Sequence, residues 1–184
     1  MVILKKDPKS LEIAASALKK GEIIIVPTDT VYGFSGIMPF TKEKIIKIKK
    51  RGAEKSFISL IEKPQDIYKY TDTLIPQSLL KLWPAPLSII VRDKEGRGTS
   101  AFRCPDDDWL RNLIGKTGFP IYSTSVNYSG EPVLSNIIDI ISEFEDKVSL
   151  IVDGGEQKGL SSTIVSLTEK EPSIIRQGAL KISF

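Results

Sequence analysis

The chain has 184 residues, with 26 lysines and arginines against 23 aspartates and glutamates, so its formal net charge of +3 is only mildly basic. That balance suits an anionic small molecule and is weak ground for a dedicated nucleic-acid binder. One cysteine and no histidine exclude an internal disulfide, a zinc cluster of several thiolates and every mechanism that runs through an imidazole.

With 27% charged and 41% hydrophobic residues, the composition is that of a globular protein. The length fits a single domain over residues 1–184, able to bury about 70% of the surface its unfolded chain exposes. The opening MVILKKDPKS has too short an apolar run for a signal peptide, and no run reaches membrane-spanning length. The expected compartment is therefore the cytoplasm, with no membrane partner.

In chain order, residues 10–20 predict a helix, with Ser10 as N-cap and Gly21 as the stop. The apolar run at 22–26 predicts a buried strand. Residues 41–51 predict a helix that starts at Thr41, with Gly52 just past its end. A strand follows at 57–61, and Pro64 and Pro76 each suit the first turn of a short helix. Strands are predicted at 87–91 and 99–103, a helix near 107–115, a strand at 119–123, a helix from Ser135 to about Glu145, and a strand at 148–152. Strands at 162–167 and 173–176, and a candidate at 180–183, complete the chain. The alternation predicts an α/β fold, and the late strands without long helices between them predict a mixed parallel and antiparallel sheet.

Four stretches carry more polar function than a turn requires. Pro27-Thr28-Asp29-Thr30-Val31-Tyr32-Gly33 follows a strand, where open α/β sheets bind ligands, although a strand-to-turn junction also describes it. Lys49-Lys50-Arg51, followed by Lys55, reads either as charge at a helix C-terminus or as a phosphate clamp. The run from Ser123 to Gly130 holds four hydroxyls of Ser and Thr within seven residues, enough to serve phosphate or carboxylate oxygens. The fourth, GGEQKGLSST at 154–163, has the glycine spacing of a Walker loop. It carries Leu160 and Ser161 where that motif needs Lys and then Ser or Thr, so it reads as a glycine loop at the edge of a site. Arg103 and Arg176 each end a predicted strand. Asp106-Asp107-Asp108 reads as the charge and cap of the next helix.

Taken in order, these pieces resemble the signature of the YrdC-like family over residues 10 to 178. PTDTVYG resembles its P-T-[ED]-T-V-Y-G. Lys49-x-Arg51 with Ser125-x-Asn127 resembles its pairing of K-x-R with S-x-N. Trp83-Pro84-Ala85-Pro86-Leu87, Arg103-x-Pro105, Ser162-Thr163-Ile164-Val165 and Arg176-Gln177-Gly178 resemble four further motifs. The resemblance implies a twisted mixed α/β sheet with flanking helices and a basic concave face. It also implies a reaction: L-threonine and bicarbonate form a carbamate that attacks the α-phosphate of ATP, giving threonylcarbamoyl-adenylate and pyrophosphate for tRNA modification.

By the same resemblance, Lys49, Arg51, Ser125 and Asn127 are the catalytic set. Arg51, Lys55, Thr99, Ser123, Ser125 and Arg176 face ATP, and Thr30, Arg103 and Ser162 face threonine. Mg²⁺ is expected through the triphosphate, without a protein metal site. The implied partners are the proteins that carry the threonylcarbamoyl group onward, with tRNA itself a candidate ligand. Gly52, Leu60, Val133, Ala85 and Ser88 depart from the family pattern, none of them at a charged position of the implied clamp. The chain resembles the short form that lacks an additional C-terminal domain. The alternative reading is a paralogue of the same fold that binds RNA without chemistry.

Overall fold

The computed structural model describes residues 1–50, 52, 57–94, 96, 98–157 and 159–184. Its strands are β1 (Val2–Leu4), β2 (Ile24–Val26), β3 (Gly33–Ile37), β4 (Ile58–Leu60), β5 (Leu87–Arg92), β6 (Thr99–Arg103), β7 (Ile121–Ser125), β8 (Leu150–Asp153), β9 (Thr163–Ser166) and β10 (Ser173–Arg176). They form one sheet in the order β1-β8-β2-β3-β7-β4-β6-β5-β9-β10. The β1–β8, β2–β8, β4–β6 and β5–β9 pairs are parallel. The β2–β3, β3–β7, β4–β7, β5–β6 and β9–β10 pairs are antiparallel, so the sheet is mixed as expected.

The helices are α1 (Ser10–Lys19), α2 (Lys42–Lys49), α3 (Gln77–Leu80), α4 (Asp108–Thr117) and α5 (Ile137–Phe144), with a 3-10 helix over Pro64–Lys69. They cover the two faces unequally. On one face α1 and α4 pack Leu18, Leu113 and Ile114 against Ile24, Ile37, Ile121 and Leu150. On the other, α2 and α5 place Ile45, Ile140 and Phe144 over Phe34, Tyr122 and Ile151. Farther along that second face, the 3-10 helix and α3 bring Ile67 and Leu79 onto Leu87, Ile89 and Phe102. Trp83 joins this last cluster and donates from Nε1 to the Leu87 carbonyl at 2.7 Å, so the tryptophan-proline motif anchors the core.

Several sequence expectations need correction. Ser10 is the first residue of α1 and not its cap; Lys9 precedes it without a side-chain bond. The Ser10 hydroxyl instead donates to the Lys5 carbonyl (2.7 Å) and accepts from Trp109 Nε1 (3.0 Å). The strands β1 and β3 were not anticipated. The helix over 41–51 ends at Lys49, because Lys50 turns into the left-handed region at φ 50°. The strand expected at 119–123 begins at Ile121, after Pro120, which has no N–H to give a ladder. The helix expected from Ser135 begins at Ile137, with Asn136 Oδ1 accepting the Ile138 N–H. No strand forms at 180–183; Leu180 and Ile182 instead pack against the core. Asp107 caps α4 as the acidic run implied, accepting the Leu110 N–H at 2.9 Å.

Cys104 lies fully buried in the cluster around Phe102, and burial pushes its thiol up to about 12. An acid whose pKa is raised by folding stabilises the native state below the unfolded value and loses that contribution as pH rises. Stability should therefore fall between roughly pH 8.5 and 12, starting from the ordinary thiol value. Urea titrations across this range should show the loss, and Cys104→Val should remove the thiol's share of it. An aromatic disulfide reagent at pH 8 should label Cys104 only at the rate of unfolding.

Candidate functional site

Side chains two apart on a strand share a face. On β7 this rule puts Ser123 and Ser125 together, and the ladders carry the same face across to Ile58 of β4 and Ala101 of β6. Thr99 and Arg103 of β6 share it as well. This is the face that α1 and α4 cover over β2 and β8 but leave bare here. The result is a cleft of about 240 Å³ whose lining includes Thr28, Thr30, Ser123, Ser125, Arg103 and Ser162, with Arg176 at its rim. Its cations, among the described lining residues, are Arg103 and Arg176.

At one end Arg103 is 3% exposed. Its Nη1 donates to Thr30 Oγ1 at 3.1 Å, and Nη2 lies 3.5 Å from Asp29 Oδ1. The other Asp29 oxygen accepts the Asp106 N–H at 3.1 Å. Burial pushes the Arg103 pKa down, Asp29 pushes it back up, and Arg176 adds to the fall. A guanidinium titrates so far above neutrality that it stays a cation. Arg103 Nε and Asp29 Oδ1 are both buried without a hydrogen-bond partner. Asp29 thus offsets the charge of Arg103, whose Nε is left without a hydrogen-bond partner.

The hydroxyls beside Arg103 have a fixed direction. Thr28 donates to the Val31 carbonyl (2.7 Å), so in the 2.9 Å contact between the two hydroxyls Thr30 must be the donor. Thr30 accepts from Arg103 and keeps one lone pair for an incoming N–H or O–H. On the facing wall, the Ser162 hydroxyl meets Ser88 Oγ at 2.9 Å, and the Ser162 carbonyl accepts from Arg176 Nη2 (2.8 Å) and Nε (3.1 Å). Burial lowers the Arg176 pKa, and it too remains charged.

Lys49 is brought to Ser125 and Asn127 across a sequence gap of more than seventy residues. Its ammonium, 2% exposed, donates to the Ser125 carbonyl, the Asn127 carbonyl (2.9 Å) and Asn127 Oδ1 (2.9 Å). Asn127 Oδ1 also accepts the Ser125 hydroxyl at 2.8 Å, and Asn127 Nδ2 donates to the Glu131 carbonyl at 2.7 Å. Lys49 and Asn127 stand behind the cleft lining and hold Ser125 in it. Lys50 points the other way, its ammonium 4.3 Å from the centre of the Tyr128 ring. Thr99 is exposed, four residues along β6 from Arg103. Arg51 and Lys55 lie outside the described residues. Sequence reasoning named Ser88 only as a departure from the family pattern and gave it no place in the site. It quoted Tyr32 only as part of the PTDTVYG stretch and gave it no role, although its hydroxyl reaches Gly154 and Gly155; a tyrosine beside the threonines of that motif was the available signal.

A family model named Sua5_yciO_yrdC and described as "Telomere recombination" matches residues 16–178. The chain belongs to the Sua5/YciO/YrdC family. Among its relatives, the threonylcarbamoyl-AMP synthase of Pyrococcus abyssi is 28% identical over 186 residues, covering 94% of this chain and 55% of that one. The threonylcarbamoyl-AMP synthase of Photobacterium profundum is 28% identical over 184 residues, covering 92% of this chain and 99% of its own. The solved structure of P. abyssi Sua5 complexed with L-threonine superposes with a TM-score of 0.88 at 28% identity, over 97% of this chain and 57% of that one. This member of the Sua5/YciO/YrdC family thus spans about half the length of its Pyrococcus relative.

Replacing Lys49 by Met should leave the carbonyls of Ser125 and Asn127 buried without their donor. The expected loss is roughly 2–4 kcal/mol of folding stability, the scale of breaking a buried charge-assisted network. Urea denaturation measures it, and a change under about 0.5 kcal/mol would mean that the ammonium is solvated.

Proposed function

We propose that this protein is a threonylcarbamoyl-AMP synthase, a nucleotidyltransferase that joins L-threonine, bicarbonate or CO₂, and ATP, and releases pyrophosphate. The observation that carries the reading is the arrangement of the cleft. A buried arginine with an unpartnered Nε stands at one end, hydroxyls line the floor, and Lys49 fixes the end of β7 at Ser125. Family membership and the threonine complex of the P. abyssi relative support the same reading.

In this reading the threonine carboxylate pairs with the Arg103 fork, the natural partner of a planar anion. The lone pair left on Thr30 accepts from the threonine hydroxyl or amine, with Ser162 on the opposite wall. The neutral amine adds to CO₂, forming the nitrogen–carbon bond and losing a proton. A carbamate oxygen then attacks the α-phosphorus, and the bond to the bridging oxygen of the β-phosphate breaks. The protein supplies alignment and charge stabilisation, which is what such a transfer needs. Ser123 and Ser125 hold phosphate or ribose oxygens, and Arg176, Thr99, Arg51 and Lys55 complete the nucleotide side. Lys49 and Asn127 act through Ser125. Mg²⁺ enters as part of the nucleotide substrate, bound through its phosphates.

The product is a reactive mixed anhydride and must be passed to proteins that place the threonylcarbamoyl group on tRNA, with tRNA a further candidate ligand. Among the described residues no helix is long and apolar enough to cross a membrane. The cytoplasm, where tRNA is modified, is the compartment this chemistry calls for.

Pyrophosphate release from Mg·ATP should require threonine and bicarbonate together. Release with neither added, or none under any condition, rejects the assignment. Arg103→Lys keeps the charge but loses the fork. It should lower kcat/KM for threonine by about 2–4 kcal/mol of transition-state stabilisation and leave KM for ATP nearly unchanged. Equal loss for both substrates would remove Arg103 from the threonine end.

A further inference from the structure

Gly154, Gly155 and Gly159 have no part in the reaction described above, yet each is held closely by the rest of the chain. Tyr32 is fully buried, and its hydroxyl both accepts the Gly154 N–H (3.0 Å) and donates to the Gly155 carbonyl (2.7 Å). Two close approaches press the same stretch onto the loop that precedes β3. A Cβ on Gly154 would lie 2.6 Å from Pro27 Cγ, and one on Gly159 would lie 2.2 Å from the Thr30 carbonyl oxygen. Backbone can come this near only where the side chain is hydrogen. Beyond Gly159 the chain enters the cleft wall at Ser161 and Ser162.

The stretch therefore joins the two walls of the cleft. One wall carries Thr30 with Arg103 bonded to it; the other carries Ser162 with Ser88 and Arg176 bonded to it. We propose that Tyr32 is a positioning residue whose hydroxyl, through Gly154 and Gly155, straps these walls at the spacing that threonine requires. The inference rests on the functional reading given above, under which threonine is the ligand that touches both walls. The nucleotide leans chiefly on Ser123 and Ser125, which are fixed in the sheet and do not depend on the strap; on the strapped wall only Arg176, bonded to the Ser162 carbonyl, belongs to its side. Loosening the strap should therefore weaken the grip on threonine selectively.

Tyr32→Phe keeps the buried ring and removes only the hydroxyl. Exchange of the Gly154 amide hydrogen should become at least about tenfold faster, since its acceptor is gone while global stability is largely kept. KM for threonine should rise about tenfold, with kcat changing less than about twofold and KM for ATP rising no more than about threefold through Arg176, the pattern of lost ground-state binding chiefly to one substrate. Gly159→Ala, with the hydroxyl intact, should give the same split by forcing the stretch off Thr30, and it stands in if the tyrosine variant does not fold. Unchanged Gly154 exchange in Tyr32→Phe overturns the strap. Faster exchange with both KM values moving together, or neither moving, overturns its role in threonine binding. A wild-type protein that releases no threonine-dependent pyrophosphate defeats the functional reading instead, and the exchange measurement still decides whether the strap exists.

Discussion

A lysine ammonium removed from water must be met by oxygens, or its desolvation would unfold the region around it. Lys49 meets that demand with the carbonyls of Ser125 and Asn127 and with the Asn127 amide oxygen. The end of α2 is thereby fastened to the segment that leaves β7. The backbone reinforces the join, since the Ser129 N–H donates to the Lys49 carbonyl at 2.9 Å. The location of Ser125 in the cleft follows from this fastening as much as from its own strand. A charge that a linear reading would assign to a phosphate acts first on the protein itself.

The cleft exists because the sheet is covered unevenly. Helices α1 and α4 close the first face over β2 and β8 and over Ile121 of β7 and Leu60 of β4, and the same face opens into the cleft farther along, at Ser123, Ser125 and Arg103. The exposed floor alternates small and polar residues with the large ones that point to the other side. Ser123 and Ser125 face the cleft, while Tyr122 between the strands' core positions packs against Phe57 with ring centroids 5.6 Å apart. One strand thus builds core and site at once, through its period of two.

Much of the architecture could be read from the chain because apolar runs and helix-start residues follow local rules. The strands at β2, β5, β6 and β8 announced themselves in that way. The strand β3 did not, since GFSGI reads as a loop. Its small residues answer to crowding in three dimensions: a Cβ on Gly33 would lie 2.7 Å from Ser123 Oγ, and one on Gly36 would lie 2.3 Å from Thr41 Oγ1. Ser123 lies far along the chain from Gly33, so no local window contains both members of that contact. Thr41, though near Gly36 in sequence, is brought against it only by the turn between β3 and α2. The K-K-R run was equally opaque, because adjacent lysines look alike until a left-handed residue turns Lys49 inward and Lys50 outward. Thr30 and Arg103 could be nominated by resemblance, but the direction of their hydrogen bonds came only from the positions of Thr28 and Val31.

The absence of histidine narrows how such a cleft could act. Without an imidazole to shuttle protons near neutrality, selectivity and rate have to come from where fixed charges and hydroxyls stand. The pair formed by Arg103 and Asp29 illustrates the point. At 3.5 Å and without a hydrogen bond, the carboxylate lowers the cost of burying the guanidinium but does not occupy its donors. A closer, bidentate pair would stabilise the empty protein more and leave less for a substrate carboxylate. Complete separation would leave a buried cation that any small anion could neutralise. The observed spacing lies between these extremes, and it favours a ligand that brings a planar anion together with a group able to donate to Thr30. An amino acid meets both conditions, its carboxylate giving the planar anion and its amine or side-chain hydroxyl the donor, whereas a phosphate is tetrahedral and lacks the planar shape that matches the guanidinium.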